Sequence, residues 1–195
     1  MRKCIGILCV CLLFATPAFA SVCTFDDITT GTGSTIPAGY GGLNWSNTVL
    51  RGTLYPDSGY NNGAVSGDYV TYGGSGTITS VAPAFDFTGL YLTAAWNTGL
   101  NVRFRGFQGV MQVYDQTVTA TCLSATWYDF AFLGIDKLMI SSSGGVDYPP
   151  YSGGGTQYVI DNFTINETSD PVPLPGSLAL LGLGLAGLAV RRRKN

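Results

Sequence analysis

Residues 101–119 read NVRFRGFQGVMQVYDQTVT, and this stretch decides the fold. Val102 and Phe104 alternate with Arg103 and Arg105, the period-two habit of a strand with one face buried and one in water. From Val110 to Thr119 the alternation resumes, with Val110, Gln112, Tyr114 and Gln116 opposite Met111, Val113 and Thr117. Gly106-Phe107-Gln108-Gly109 between the two runs reads as a hairpin connection. Outward from this pair, further strands are expected at 23–26, 48–54, 69–72, 77–81, 85–96, 128–133, 137–142 and 157–166. Turn chemistry separates them at 31–34, 56–63, 73–76, 97–99, 141–145 and 152–155, where Gly, Ser, Asn and Pro cluster. Between the two ends, no stretch with a 3.6-residue period reaches a convincing helix length. About ten short strands at this spacing predict an all-β fold, a jelly-roll-like two-sheet sandwich.

That sandwich occupies residues 21–168, roughly 150 residues, a normal length for one domain. Four basic residues (Arg51, Arg103, Arg105, Lys137) face twelve acidic ones over residues 21–173, a net charge of −8. The whole chain's −2 hides this, because the other six cations sit at the two ends. So acidic a domain is not built to neutralise phosphates, and nucleic acid is excluded as a partner.

The ends read differently. Arg2 and Lys3, an apolar run from Ile5 to Phe14, and Ala18-Phe19-Ala20 have the order of a signal peptide, residues 1–20, cut after Ala20 by signal peptidase. A lipoprotein signal ending at Cys23 is the rival, but Val22 stands where a small residue is needed. Residues 169–171 form a linker, and 172–195 a three-part tail. Its hexapeptide, Val172-Pro173-Leu174-Pro175-Gly176-Ser177, cannot be helical throughout, because proline lacks the N–H and restrains the residue before it. Residues 178–190 carry no polar side chain other than the backbone and predict a short transmembrane helix. Arg191, Arg192, Arg193 and Lys194 then hold the chain end on the cytoplasmic side. Removing the signal leaves only Cys23 and Cys122, and in an oxidising compartment they predict one disulfide.

The tripartite tail resembles the PEP-CTERM sorting signal, over about residues 171–194. Val172, Pro173, Pro175 and Gly176 fit the motif, and Leu174 in place of the commoner Glu resembles its VPLP variant. The resemblance implies an exosortase-type transpeptidase as partner, transient residence in the membrane, and delivery to the surface or extracellular polysaccharide matrix of a Gram-negative bacterium. A Gram-positive sortase signal fits less well, because Thr-Gly does not follow Leu174-Pro175. Phe25-Asp26-Asp27, residues 40–47, Ser66-Gly67-Asp68-Tyr69-Val70, residues 92–97, residues 134–138 and Ile160-Asp161-Asn162-Phe163 together resemble an exported sandwich domain with a carbohydrate-binding-module-like fold.

The chain has no histidine, which removes Ser/His/Asp and Cys/His triads and histidine-ligated zinc. Glycosidase chemistry needs two carboxylates. The only glutamate in the domain, Glu167, sits at its edge, and no motif nominates an Asp pair. No catalytic residue is expected, and a carboxylate-based glycoside hydrolase is the weakest reading. By analogy with jelly-roll carbohydrate-binding modules, Asp26, Asp27 and Asp161 would hold a structural Ca²⁺ where the first and last strands meet. The competing reading makes them turn and strand-end residues that cap backbone groups. Trp45, flanked by Asn44, Ser46 and Asn47, is the expected sugar platform, while Trp96 ends an apolar strand and is expected in the core. Three Asn-X-Ser/Thr triplets, at Asn44, Asn162 and Asn166, are taken as chance matches. The functional expectation is a non-enzymatic exported surface or matrix protein. The alternative is a carbohydrate-binding module for extracellular polysaccharide.

Overall fold

The computed structural model describes residues 21–28 and 33–166. Twelve strands run in chain order: β1 Ser21–Cys23, β2 Ser34–Thr35, β3 Leu43–Trp45, β4 Thr48–Arg51, β5 Tyr69–Gly73, β6 Ser75–Ser80, β7 Phe85–Ala94, β8 Asn97–Gln108, β9 Met111–Ala120, β10 Thr126–Ile135, β11 Lys137–Asp147 and β12 Tyr158–Ile165. One five-residue helix, α1 Gly59–Gly63, and two 3₁₀ turns, Tyr40–Gly42 and Gly52–Leu54, lie between them.

The strands form two antiparallel sheets. One has the order β10-β7-β12-β5-β4-β2, with β1 added along the far half of β12; the other is β3-β6-β11-β8-β9. From β5 to β12 the chain changes sheet at every connection except that between β8 and β9. The expected hairpin is present as β8–β9, with Arg103 opposite Thr117 and Phe104 opposite Gln116. Period-two alternation works as read: Val102 and Phe104 are fully buried, while Asn101 and Arg103 face water.

Between the sheets, Phe87, Phe104, Phe130, Phe132 and Phe163 form one aromatic cluster drawn from four strands. A second, smaller core lies on the outer side of the larger sheet, where Leu50, Tyr60, Val70, Ala95 and Val159 pack together. Strand β12 therefore has both faces covered. Its phase is reset at Asn162 (φ 49°), where the pairing with β7 slips between Asp161 and Thr164. One extra residue in a strand flips every later side chain to the other face. The bulge therefore lets Ile160 and Phe163 both point into the main core, three residues apart.

Several expectations are corrected. Residues 97–99 and 141–145 are not turns: they belong to β8 and β11, where Gly144 pairs with Leu100 and Val146 with Thr98. Gly99, Gly144 and Gly145 have φ of 69°, 70° and 77°, so turn-type glycines here bend a continuous ladder. Residues 56–63 contain helix α1.

The Cys23–Cys122 disulfide is not formed; both thiols are free and buried. Cys23 stands opposite Phe163, whereas Thr121, just before Cys122, bonds Ala94, which stands opposite Tyr158. Those levels are about five residues apart along β12, on the order of 16 Å at ~3.3 Å per residue. A disulfide holds its two Cα atoms within about 7 Å. Burial pushes the Cys23 thiol up to about 12, with Asp27 adding to the effect, and burial raises Cys122 as well.

Candidate functional site

The three carboxylates expected to bind calcium each have a different task. Asp26 accepts hydrogen bonds from the backbone N–H of Asp68 (2.9 Å) and Tyr69 (3.1 Å). Asp161 accepts from the N–H of Val65 (2.7 Å), Ser66 (2.8 Å) and Asn162 (2.7 Å), and from the Ser66 hydroxyl. Asp27 accepts from the Tyr40 hydroxyl at 2.7 Å. Two of the three thus pin residues 65–69 against β1 and β12, which is the capping reading. Gly67 (φ 54°) fits this clamp because a Cβ there would lie 2.1 Å from Asp26 Oδ1. Among the described residues, no three Asp, Glu, Cys or His side chains gather into a metal-holding group. Asp26 and Asp27 take these bonds through Oδ1 and Asp161 through both oxygens, so each carboxylate has a capping role in the fold.

Asp161 is fully buried, and burial pushes its carboxyl up to about 6, against the Ser66, Val65 and Asn162 hydrogen bonds that lower it. The unfolded value is near 3.9, so the folded state holds this proton more tightly. Its stabilising contribution is fully present below about pH 4 and is lost as pH rises through about 6. Compared with Asp161→Asn, the wild-type protein is therefore expected to lose roughly 3 kcal/mol of stability between pH 4 and 7, about two pKa units. Urea unfolding of both proteins across that range checks this; parallel pH profiles would refute it.

Trp45 is not an exposed platform. Strand β3 turns Leu43 and Trp45 inward and Asn44 outward. The Trp45 ring packs edge-on against Phe25 (5.4 Å) and Phe163 (4.9 Å), and its Nε1 donates to the Tyr40 carbonyl at 3.0 Å. Of the polar neighbours that suggested exposure, Asn44 occupies the other face of the strand, and Asn47 is itself buried, donating to the Tyr158 hydroxyl at 2.9 Å. Trp127 lies across Gly89, where a Cβ would come within 2.3 Å of the indole, and donates to Asp129.

Trp96, read from the sequence as core, packs against the second core cluster and also lines an open cleft of about 260 Å³ with Leu54, Tyr55, Pro56, Asp57 and Ser152. It sits in the tight connection between β7 and β8 and is half-buried. The Gly153 backbone lies on its ring, so that a Cβ there would be 2.5 Å from Cδ2, Cε2 and Cε3. Tyr60 and Tyr55 stand edge-on to it at 5.5 and 6.3 Å. The buried Ser58 hydroxyl fixes the opposite wall, donating to the Tyr55 carbonyl (2.6 Å) and accepting from the Tyr60 N–H (3.2 Å). Sequence reasoning missed the cleft because its residues come from three separated segments. The clustering of Leu54, Tyr55, Pro56 and Asp57 in a turn-rich stretch was the only available signal.

Residues 171–194 carry the PEP-CTERM protein-sorting motif. The protein is accordingly an exported one, anchored in a membrane before processing. The sorting residues Val172, Pro173, Leu174, Pro175 and Gly176, the expected span 178–190 and the signal peptide 1–20 all lie outside the described residues. No described helix is long and apolar enough to cross a membrane. The chain is similar to the crystal structure of a DUF4465 family protein from Bacteroides caccae, at 11% identity and TM-score 0.52, covering 77% of this chain and 100% of that one. A DUF4465 family protein from Bacteroides ovatus matches at 12% identity and TM-score 0.40, covering 77% and 95%. TmCBM61, solved in complex with beta-1,4-galactotriose, matches at 14% identity and TM-score 0.42, covering 66% and 93%. The first of these shows the sandwich fold and nothing finer. No curated protein matches the chain.

Proposed function

We propose that this is a non-enzymatic surface or matrix protein. Its β-sandwich is carried through the inner membrane, held briefly by the C-terminal span, and released by an exosortase-type transpeptidase acting at the hexapeptide. The sorting motif over residues 171–194 is the observation that carries this reading. The chemistry of the tail supports it: prolines keep the hexapeptide extended for an enzyme, and the cationic end resists crossing the bilayer. Replacing both Pro173 and Pro175 by Ala is expected to leave the protein in the membrane fraction of its producer at nearly full length. The wild-type domain is expected in the envelope or medium. Equal release of both proteins would sink the reading.

A second reading, carbohydrate binding, is favoured by the cleft between Tyr55 and Trp96. Its lining combines the apolar surfaces of Leu54, Tyr55, Pro56 and Trp96 with the polar groups of Asp57 and Ser152, a mixture that suits a sugar ring. A panel of soluble polysaccharides tested for quenching of tryptophan fluorescence checks it, and a panel with no binder rejects it.

A further inference from the structure

We propose that the cleft lined by Tyr55, Asp57, Trp96 and Ser152 selects a sugar bearing a free ammonium group, the hexosamine class. This rests on the carbohydrate reading and goes further by assigning the ligand's charge.

The carboxylate carries the inference. Asp57 lines the cleft and, among the described residues, has neither an ion pair nor a hydrogen bond. Asp26, Asp68, Asp115 and Asp161 each accept at least two hydrogen bonds, and Asp27, Asp86, Asp129 and Asp136 each accept one; Asp147 shares Asp57's lack of a partner but lies outside the cleft lining. A carboxylate is an acceptor only, and covering it with a ligand that cannot donate leaves it desolvated without compensation. A hydroxyl supplies one neutral donor. An ammonium supplies several donors and the opposite charge, and charge-assisted bonds are about twice as strong as neutral ones.

The surroundings favour the same choice. Aromatic rings within reach of a cation attract it through their electron-rich faces. Trp96 and Tyr55 line the cleft, and the buried Tyr60 packs edge-on against Trp96. The net charge of −8 over residues 21–173 concentrates cations at the surface. Size restricts the ligand further: about 260 Å³ lies below the roughly 300 Å³ at which drug-sized sites begin, which suits a single ring. The wall is set before any ligand arrives, because Ser58 ties Tyr55 to Tyr60 and Tyr55 N–H bonds the Gly52 carbonyl. Preorganisation of this kind lowers the ordering cost of binding.

Three tetrasaccharides separate the possibilities: a 1,4-linked glucosamine oligomer, its fully N-acetylated counterpart, and the corresponding glucose oligomer. Each is titrated into the full chain in detergent, in mildly acidic buffer that keeps the amine protonated, with tryptophan fluorescence and calorimetry as readouts. The glucosamine oligomer is expected to bind at least tenfold more tightly than either of the others. Asp57→Asn is expected to remove that preference, and added salt to shrink it. Asp57 is exposed, so its replacement leaves the fold intact, which circular dichroism verifies. Equal binding of all three, or a preference that survives Asp57→Asn, overturns the ammonium assignment while the carbohydrate reading stands. Binding of none overturns the assignment outright; the carbohydrate reading falls only if the polysaccharide panel is also blank.

Discussion

Replacing Phe87 by alanine is expected to destabilise the domain by about 4 kcal/mol and to lower its melting temperature by roughly 10–15 °C. Phe87 is completely buried at the centre of the aromatic cluster. Its ring centroid lies 4.6 Å from Phe130, 4.8 Å from Phe163, 5.8 Å from Phe132 and 6.1 Å from Phe104. These partners belong to β8, β10 and β12, so truncating one ring removes contacts that tie the two sheets together. The strands around it are hydrogen-bonded in fixed register and cannot close over the hole, which leaves the cavity part of the cost in place. Equilibrium unfolding in urea measures this directly. A loss below about 1.5 kcal/mol, the range of tolerated volume-conserving swaps, would mean that Phe87 is not at the meeting point of the sheets.

Gly59→Ala is expected to cost about 3 kcal/mol, at the upper end of overpacking penalties. The new Cβ would lie 1.7 Å from the Ala94 carbonyl oxygen and 2.7 Å from its carbon. Those are backbone atoms at the end of β7, held by the Ala94–Thr121 and Ala95–Gln157 hydrogen bonds, so they cannot move aside cheaply. Helix α1 would have to lift away, breaking the 2.7 Å bond from Gly59 N–H to the Ala95 carbonyl. Tyr60 rides on that helix against Trp96, so the cleft should open as well, with a change in tryptophan emission. Gly74→Ala is the matched control. It has open space around it and an ordinary backbone conformation, and a change within about 0.5 kcal/mol is expected. If the two variants are equally stable, the docking of α1 on β7 is wrong.

The sequence was legible where one simple pattern governed the residue. In β8 and β9, alternation alone placed Val102 and Phe104 inside and Arg103 outside, because a two-sided strand enforces a period of two. The pattern was opaque where glycine did two jobs. Gly144 and Gly145 look like a turn but bend a ladder, and only the facing residues Leu100 and Thr98 reveal this. Trp45 was misplaced for a similar reason, and Trp96 is only half covered by the core it joins. The neighbours of Trp45 in sequence are polar, yet Asn44 faces the other way and Asn47 is buried. Trp96 follows an apolar run, yet it lies in a connection where that run has ended. The acidic pair near β1 and Asp161 near the bulge were rightly singled out as chemically special. Their partners, the N–H groups of residues 65–69, lie 39 or more residues from Asp26 and 92 or more from Asp161, a pairing that no local pattern encodes.

The bridge failed on the same ground. Counting cysteines says how many remain, and the register of β1 on β12 says how far apart they stand. Two buried thiols in an exported protein are protected by the core around them, since the reactive form is the thiolate and burial disfavours it at both positions.

Intact-mass spectrometry of the protein recovered from its producing cell tests the central claim most directly. The account predicts a chain that begins at Ser21, ends within or close to the hexapeptide at 172–177, and lies outside the cytoplasm. A 195-residue chain in the cytosolic fraction, with both terminal segments uncut, would contradict it.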